Sequence, residues 1–354
     1  MTIVETLSQM TLSGASDIFI VAGLPLTFKG HGQMNNFSDQ KMMPSDTAAM
    51  ITDIYKIAED RDMDRLLETG DDDFSFAIKG VARFRISAFK QRGSLSAVIR
   101  VITFSIPQPE DLGIPQKIIE FADKKKGLVL VTGPAGSGKS TTLACMIDHI
   151  NNTRQAHIIT LEDPLEYLHM HKMSIVSQRE VVSDTDSYLT ALRASLRQSP
   201  DVILLGEMRD YETMNVAMTA AETGHLILST LHTIGASNTI DRIVDAFPPN
   251  QQHQISIQLS MVLQAVVSQQ LVPSTDGSII PVFEVMTLTP AIRNMIRESK
   301  VHQIDGMIYS SAAEDMIAMD TSLLNLFKEG RITEKTALTY ATNPDLLLKK
   351  IRGM

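Results

Sequence analysis

Gly133-Pro134-Ala135-Gly136-Ser137-Gly138-Lys139-Ser140-Thr141 is the stretch on which the fold turns. It is a complete G-x-x-x-x-G-K-S phosphate-binding loop. Ahead of it, Gly127-Leu128-Val129-Leu130-Val131-Thr132 reads as a buried strand, and behind it residues 142–150 carry a helical apolar pattern. The glycines let the backbone curl until several N–H groups point inward at a phosphate chain, and the helix start adds partial positive charge. Lys139 can then reach the β- and γ-phosphates, and the Ser140 hydroxyl can ligate Mg²⁺. ATP and Mg²⁺ are therefore the expected cofactors.

The 354 residues suffice for two domains. At 44% hydrophobic and 21% charged, the composition is that of a soluble globular chain. No apolar run approaches the ~20 residues of a membrane span. Met1-Thr2-Ile3-Val4-Glu5 lacks the basic start and apolar core of a signal peptide, so a cytoplasmic protein is expected. One cysteine, Cys145, excludes an intramolecular disulfide and a multi-cysteine zinc site; it reads as a small apolar residue packed on a helix. A net charge of −9 argues against nucleic acid as a partner.

Residues 1–105 read as an α+β domain. Ser45-Asp46-Thr47 caps a helix with Ala48, Met50, Ile51, Ile54 and Tyr55 on one side. Strands are expected at 73–78, 82–89 and 94–102. In the middle one Arg83 and Arg85 alternate with Phe84 and Ile86, and with Arg92 and Arg100 they form a basic strip. By itself that strip reads as a solvated sheet face. Ser105-Ile106-Pro107-Gln108-Pro109-Glu110 breaks helix and sheet, and 106–115 is taken as the linker.

From residue 116 to 354 strands and helices alternate, which implies a parallel sheet covered on both faces. Strands are expected at 128–132, 157–161, 202–205 and 226–231, with ligands meeting beyond their carboxyl ends. Glu162-Asp163-Pro164-Leu165-Glu166 follows the second: three carboxylates suited to Mg²⁺ and to activating water. Asp163 is a candidate metal ligand. Gly206-Glu207-Met208-Arg209-Asp210 follows the third, and Glu207 can hold Mg²⁺ through water, although the usual aspartate at the strand end is missing. His225 and His232 flank the fourth. Either could sense the γ-phosphate; either could be a satisfied structural histidine. Residues 188–198 read as a helix with Arg193 and Arg197 on one face. They are surface salt-bridge partners on one reading and stabilisers of transition-state charge on the other. Beyond 235 the chain is expected to be mostly helical. A hairpin turning at Asp276-Gly277 interrupts it, and helices are expected at 290–299, 312–329 and 334–341.

Together these residues resemble the type II/type IV secretion and pilus ATPases. Residues 133–141 are similar to the family's Walker A loop, 161–166 to its Asp box, 205–210 to its atypical Walker B, and 219–233 to its His box. Ala291-Ile292-Arg293-Asn294-Met295-Ile296-Arg297-Glu298 resembles the signature of the pilus-retraction branch, with Met295 in place of leucine. The resemblance implies a PAS-like N-terminal domain, a RecA-like P-loop ATPase domain with a helical C-terminal appendage, and assembly as a homohexamer. It implies phosphate-facing roles for Arg85, Arg100, Arg193 and Arg197, and a general base at Glu166, with Glu162 as the alternative. Rotation at the linker, residues 105–109, would couple hydrolysis to motion. An inner-membrane pilus platform protein is the implied partner, with other pilus ATPases beside it, at the inner face of the cytoplasmic membrane.

Overall fold

The computed structural model describes residues 1–30, 33–102, 104–310 and 316–353. They fall into two compact units: residues 1–105 with 165–168, and residues 106–164 with 169–354.

In the first unit, α1 (Ile3–Leu12) starts where Thr2 and Glu5 cap each other reciprocally. β1 (Ala15–Ile20), β2 (Pro25–Gly30) and β3 (Gln33–Lys41) form a meander. α2 (Pro44–Ile57) follows, entered through Pro44, with the Asp46 carboxylate accepting from Met43 N–H at 2.7 Å. α3 (Asp64–Thr69) leads into β4 (Asp71–Ile78), β5 (Ala82–Gln91) and β6 (Ser94–Ile102). The order β3-β2-β1-β6-β5-β4 is antiparallel throughout. Ala82, Phe84, Ile86 and Ala88 of β5 face the core and Arg83, Arg85 and Ser87 the other side, as the alternation requires. Arg85 stands directly opposite Arg100 in the β5–β6 register.

The second unit begins inside the expected linker. Ile106 and Leu112 pack against the core, and Ile114 is buried in it. The Cys145 thiol, buried and with its pKa pushed up to about 11 by desolvation, donates to the Pro107 carbonyl. Residues 106–114 thus pack against the second unit.

After α4 (Gln116–Ile119) come β7 (Gly127–Thr132), α5 (Lys139–Thr153), β8 (His157–Glu162), β9 (Ile175–Glu180), α6 (Tyr188–Ser195), β10 (Val202–Leu205), α7 (Tyr211–Glu222), β11 (Leu226–Leu231), α8 (Ala236–Asp245), α9 (Gln252–Val262), β12 (Leu263–Pro273) and β13 (Ile279–Thr287). The sheet order is β13-β12-β7-β11-β10-β8-β9, parallel except for the edge strand β13. β7, β10 and β11 are buried along their whole length, because helices cover both faces. Leu128, Leu130, Leu161 and Leu205 face one helical layer, and Val129, Val131, Ile158 and Leu204 face the other.

α10 (Pro290–Arg297), α11 (Ile304–Ser310), α12 (Met319–Lys328), α13 (Glu334–Tyr340) and α14 (Pro344–Arg352) complete the chain. The expected helix at 312–329 is α12; its first four positions lie outside the described residues. The buried Glu284 of β13 accepts from Ala236 N–H (2.9 Å) and Met319 N–H (3.4 Å), so one carboxylate meets the starts of α8 and α12. Burial raises its pKa.

Candidate nucleotide site

The loop 133–141 leaves the carboxyl end of β7, where open α/β sheets bind their ligands. Gly133, Gly136 and Gly138 have φ of 140°, 75° and 85°. A Cβ on Gly133 would lie 2.1 Å from the Gln269 carbonyl oxygen, and one on Gly138 would lie 2.8 Å from Gln269 Nε2. Both positions thus need glycine for backbone angle and for space. Gly138 caps α5, whose first-turn N–H groups have no partner within the helix.

Lys139 is only 8% exposed, and its Nζ donates to the carbonyls of Gly133 (3.0 Å) and Pro134 (2.9 Å). The ammonium therefore sits within the curl of its own loop. Ser137 Oγ is buried there without a hydrogen-bond partner. A cationic head, an unspent hydroxyl and a helix N-terminus at one place fit an anion such as a phosphate chain.

On the acidic side, Gly206 N–H donates to Leu161 O at 2.8 Å, tying the turn after β10 to the end of β8. Glu207 is 9% exposed. One of its oxygens bonds the Arg209 guanidinium, and the other lies 3.4 Å from His232 Nε2 at the end of β11. Tyr188, the first residue of α6, hangs its hydroxyl over the turn, 2.8 Å from where a Cβ on Gly206 would be. Burial, followed by the charges of Glu207, Asp163 and Glu162, drives the phenol pKa upward. Tyr188 is thus held as a neutral hydroxyl amid three of the expected acids.

The remaining candidates fall elsewhere. Glu166 is exposed and makes no hydrogen bond or ion pair among the described residues; its segment, 165–168, groups with the first unit. His225 lies just before β11, at the amino end of the strand. Its Nδ1 meets the Ala220 carbonyl (3.0 Å) behind α7. Six strand residues at about 3.3 Å each put it roughly 20 Å from the loop edge. Of the two readings of His225, its bond to the Ala220 carbonyl at the amino edge of the sheet favours the structural one. Arg193 and Arg197 are exposed. α6 ends at Ser195, so Arg197 lies beyond the helix and the expected shared face does not extend to it. Arg100 pairs with Asp17 at 3.1 Å, and Arg85 is half-buried without an ion pair among the described residues. Tyr188 and Gln269 were not foreseen. The one sequence signal for the second is a pair of amides, Gln269-Gln270, inside a largely apolar strand.

A glycine loop between a buried parallel strand and a helix, a lysine folded into it, and a buried carboxylate at a neighbouring strand end define a RecA-like, nucleotide-binding P-loop ATPase domain. The family described as "Type II/IV secretion system protein" matches residues 1–279, and the chain belongs to it, within its PilT-type retraction ATPases. A protein of Pseudomonas aeruginosa described as "Type IV pilus retractation ATPase PilT" is 44% identical over 98% of this chain and 99% of its own. "Type IV pilus ATPase PilU" of the same organism is 39% identical over 98% of this chain and 91% of its own. The crystal structure of the pilus retraction motor PilT with bound ADP superposes with a TM-score of 0.89 at 45% identity, covering 99% of both chains. No helix among the described residues is long and apolar enough to cross a membrane.

Proposed function

We propose that this chain is the subunit of a homohexameric motor that hydrolyses ATP to retract a type IV pilus, working at the inner face of the cytoplasmic membrane on a platform protein. The observation that carries this reading is the likeness to PilT over nearly the whole of both chains.

In this reading the loop N–H groups and Lys139 hold the phosphates, with Lys139 exchanging its two loop carbonyls for the β/γ-phosphate oxygens. Glu162 is the proposed general base in preference to Glu166. It ends β8 beside the turn that carries Glu207, its Cα 3.4 Å from where a Cβ on Gly206 would be, whereas Glu166 is exposed in the 165–168 segment. Glu207, oriented by Arg209 and His232, would position the attacking water. Ser140, Asp163 and Glu207 offer the oxygen donors that Mg²⁺ takes. No cluster of three or more His, Cys, Asp or Glu among the described residues forms a cage, so the ion would be shared with the nucleotide. When bound, it would neutralise charge developing on the phosphates.

Deletion of the gene in the source cell tests the reading. Excess surface pili with twitching lost is the expected outcome; loss of pili would make the chain an assembly motor and overturn it. A second reading is an accessory retraction ATPase of the same family, consistent with the likeness to a second type IV pilus ATPase, for which deletion alone would not abolish twitching.

A further inference from the structure

We propose that Gln269 is a positioning residue for nucleotide binding, setting the curl of the phosphate loop from a strand outside the loop motif. This rests on the reading of residues 133–141 as the nucleotide site. The β7–β12 ladder ends at the pair Thr132–Ser268, and the next step brings Gly133 against the Gln269 backbone. The Gln269 carbonyl oxygen occupies the space a Cβ on Gly133 would need, and Nε2 occupies that beside Gly138. Its Oε1 accepts from Thr142 Oγ1 at 2.7 Å, in a bond between two side chains that are 2% and 0% exposed. One residue thus touches the first glycine of the loop, the last, and the helix that follows.

The strand holding it is itself fixed on either side. Ser268 Oγ accepts from Gly235 N–H (3.0 Å), and Gln270 Nε2 donates to the Tyr340 carbonyl (3.2 Å). Gln269 is therefore a stationary surface against which the loop is formed. A buried carboxamide is costly unless its bonds are made, and here Thr142 makes one of them. Preorganising the N–H groups before the nucleotide arrives lowers the ordering cost of binding, so the effect belongs in affinity and KM more than in kcat.

The test uses the full chain, with a fluorescent ADP analogue for affinity, phosphate release for KM and kcat, and Tm without nucleotide. Gln269→Leu keeps bulk and loses the bond to Thr142 and the amide beside Gly138. Kd and KM should rise on the order of tenfold, with kcat changed less. Gln269→Glu keeps shape and places a carboxylate beside the loop. Its Kd relative to wild type should be worst at pH 8 and improve towards pH 6 as the carboxyl takes up a proton. A lowered Tm with Kd within twofold of wild type in both variants would show a purely structural role and overturn the proposal. Should Gln269→Leu fail to fold, Thr142→Val breaks the same bond from its other end and Thr142→Ser retains it; equal affinity in those two would also overturn it. Lys139→Ala is measured alongside. If that variant binds normally, the nucleotide-site reading itself fails; if it alone loses binding, only the role of Gln269 does.

Discussion

A methyl group on Gly206 would stand 2.8 Å from the Tyr188 hydroxyl, 3.3 Å from Leu161 O and 3.4 Å from Glu162 Cα. Glycine is needed there for space, because the turn between β10 and Glu207 passes under a tyrosine. Gly206→Ala should therefore cost about 1–3 kcal/mol through overpacking and should slow phosphate release by shifting Glu207. Adding Tyr188→Phe removes the blocking oxygen and should recover part of both losses. A double variant no more stable than Gly206→Ala alone, by thermal melting, would put the strain elsewhere. At this scale, what the sequence reveals depends on range. The phosphate loop is legible because its glycines, lysine and serine are contiguous and their reason is local backbone geometry. Gln269 was not legible, since it meets Thr142 across 127 residues of chain. Of the two histidines flanking β11, His232 follows its carboxyl end and lies beside Glu207, while His225 precedes it and bonds the Ala220 carbonyl.

α10 shows the same division at the scale of an element. Thr289 Oγ1 caps it and Pro290 opens it, so its start is legible from the sequence. Ile292 and Ile296 bury one face, and Arg293 and Arg297 are exposed on the other. Strands were harder to see. β3, Gln-Met-Asn-Asn-Phe-Ser-Asp-Gln-Lys, lies at a sheet edge with no fully buried residue, so it has no alternation to read. β12 follows α9 without a glycine or proline between them, which hid both its start and its place beside β7. For α10, anchoring by isoleucines makes its arginines removable. Arg293→Ala with Arg297→Ala takes away only surface contacts, Arg297 with Asn294 and with Glu298, and should leave stability within about 0.5 kcal/mol. ATPase activity should stay near wild type while pilus retraction is lost in cells. Collapse of ATPase activity as well would make the helix a structural support and remove its bearing on retraction.

Across the whole molecule, Arg85 and Arg100 belong to the unit of residues 1–105, and Lys139 belongs to the other. The two arginines face each other across β5 and β6. Asp17 neutralises Arg100, and Arg85 has no ion pair among the described residues. Like charges opposed on a sheet destabilise it, so Arg85 is expected to owe its place to an anion supplied from elsewhere. In a homohexamer that anion would be the nucleotide of an adjoining subunit. Two consequences separate this from a merely solvated strip. Arg85→Ala should leave the Tm of the nucleotide-free protein unchanged or raised, while ATP turnover falls steeply as charge stabilisation at the phosphates is lost. Mixing provides the second. Subunits with Arg85→Ala and subunits with Lys139→Ala would each be nearly inactive, yet mixed rings contain junctions with an intact Lys139 on one side and an intact Arg85 on the other. Those junctions should recover part of the activity. Recovery in mixtures shown by native mass spectrometry to hold both variants would support a shared site. A fully active monomeric wild type would end the idea, because an arginine acting between subunits has nothing to act on in a single chain.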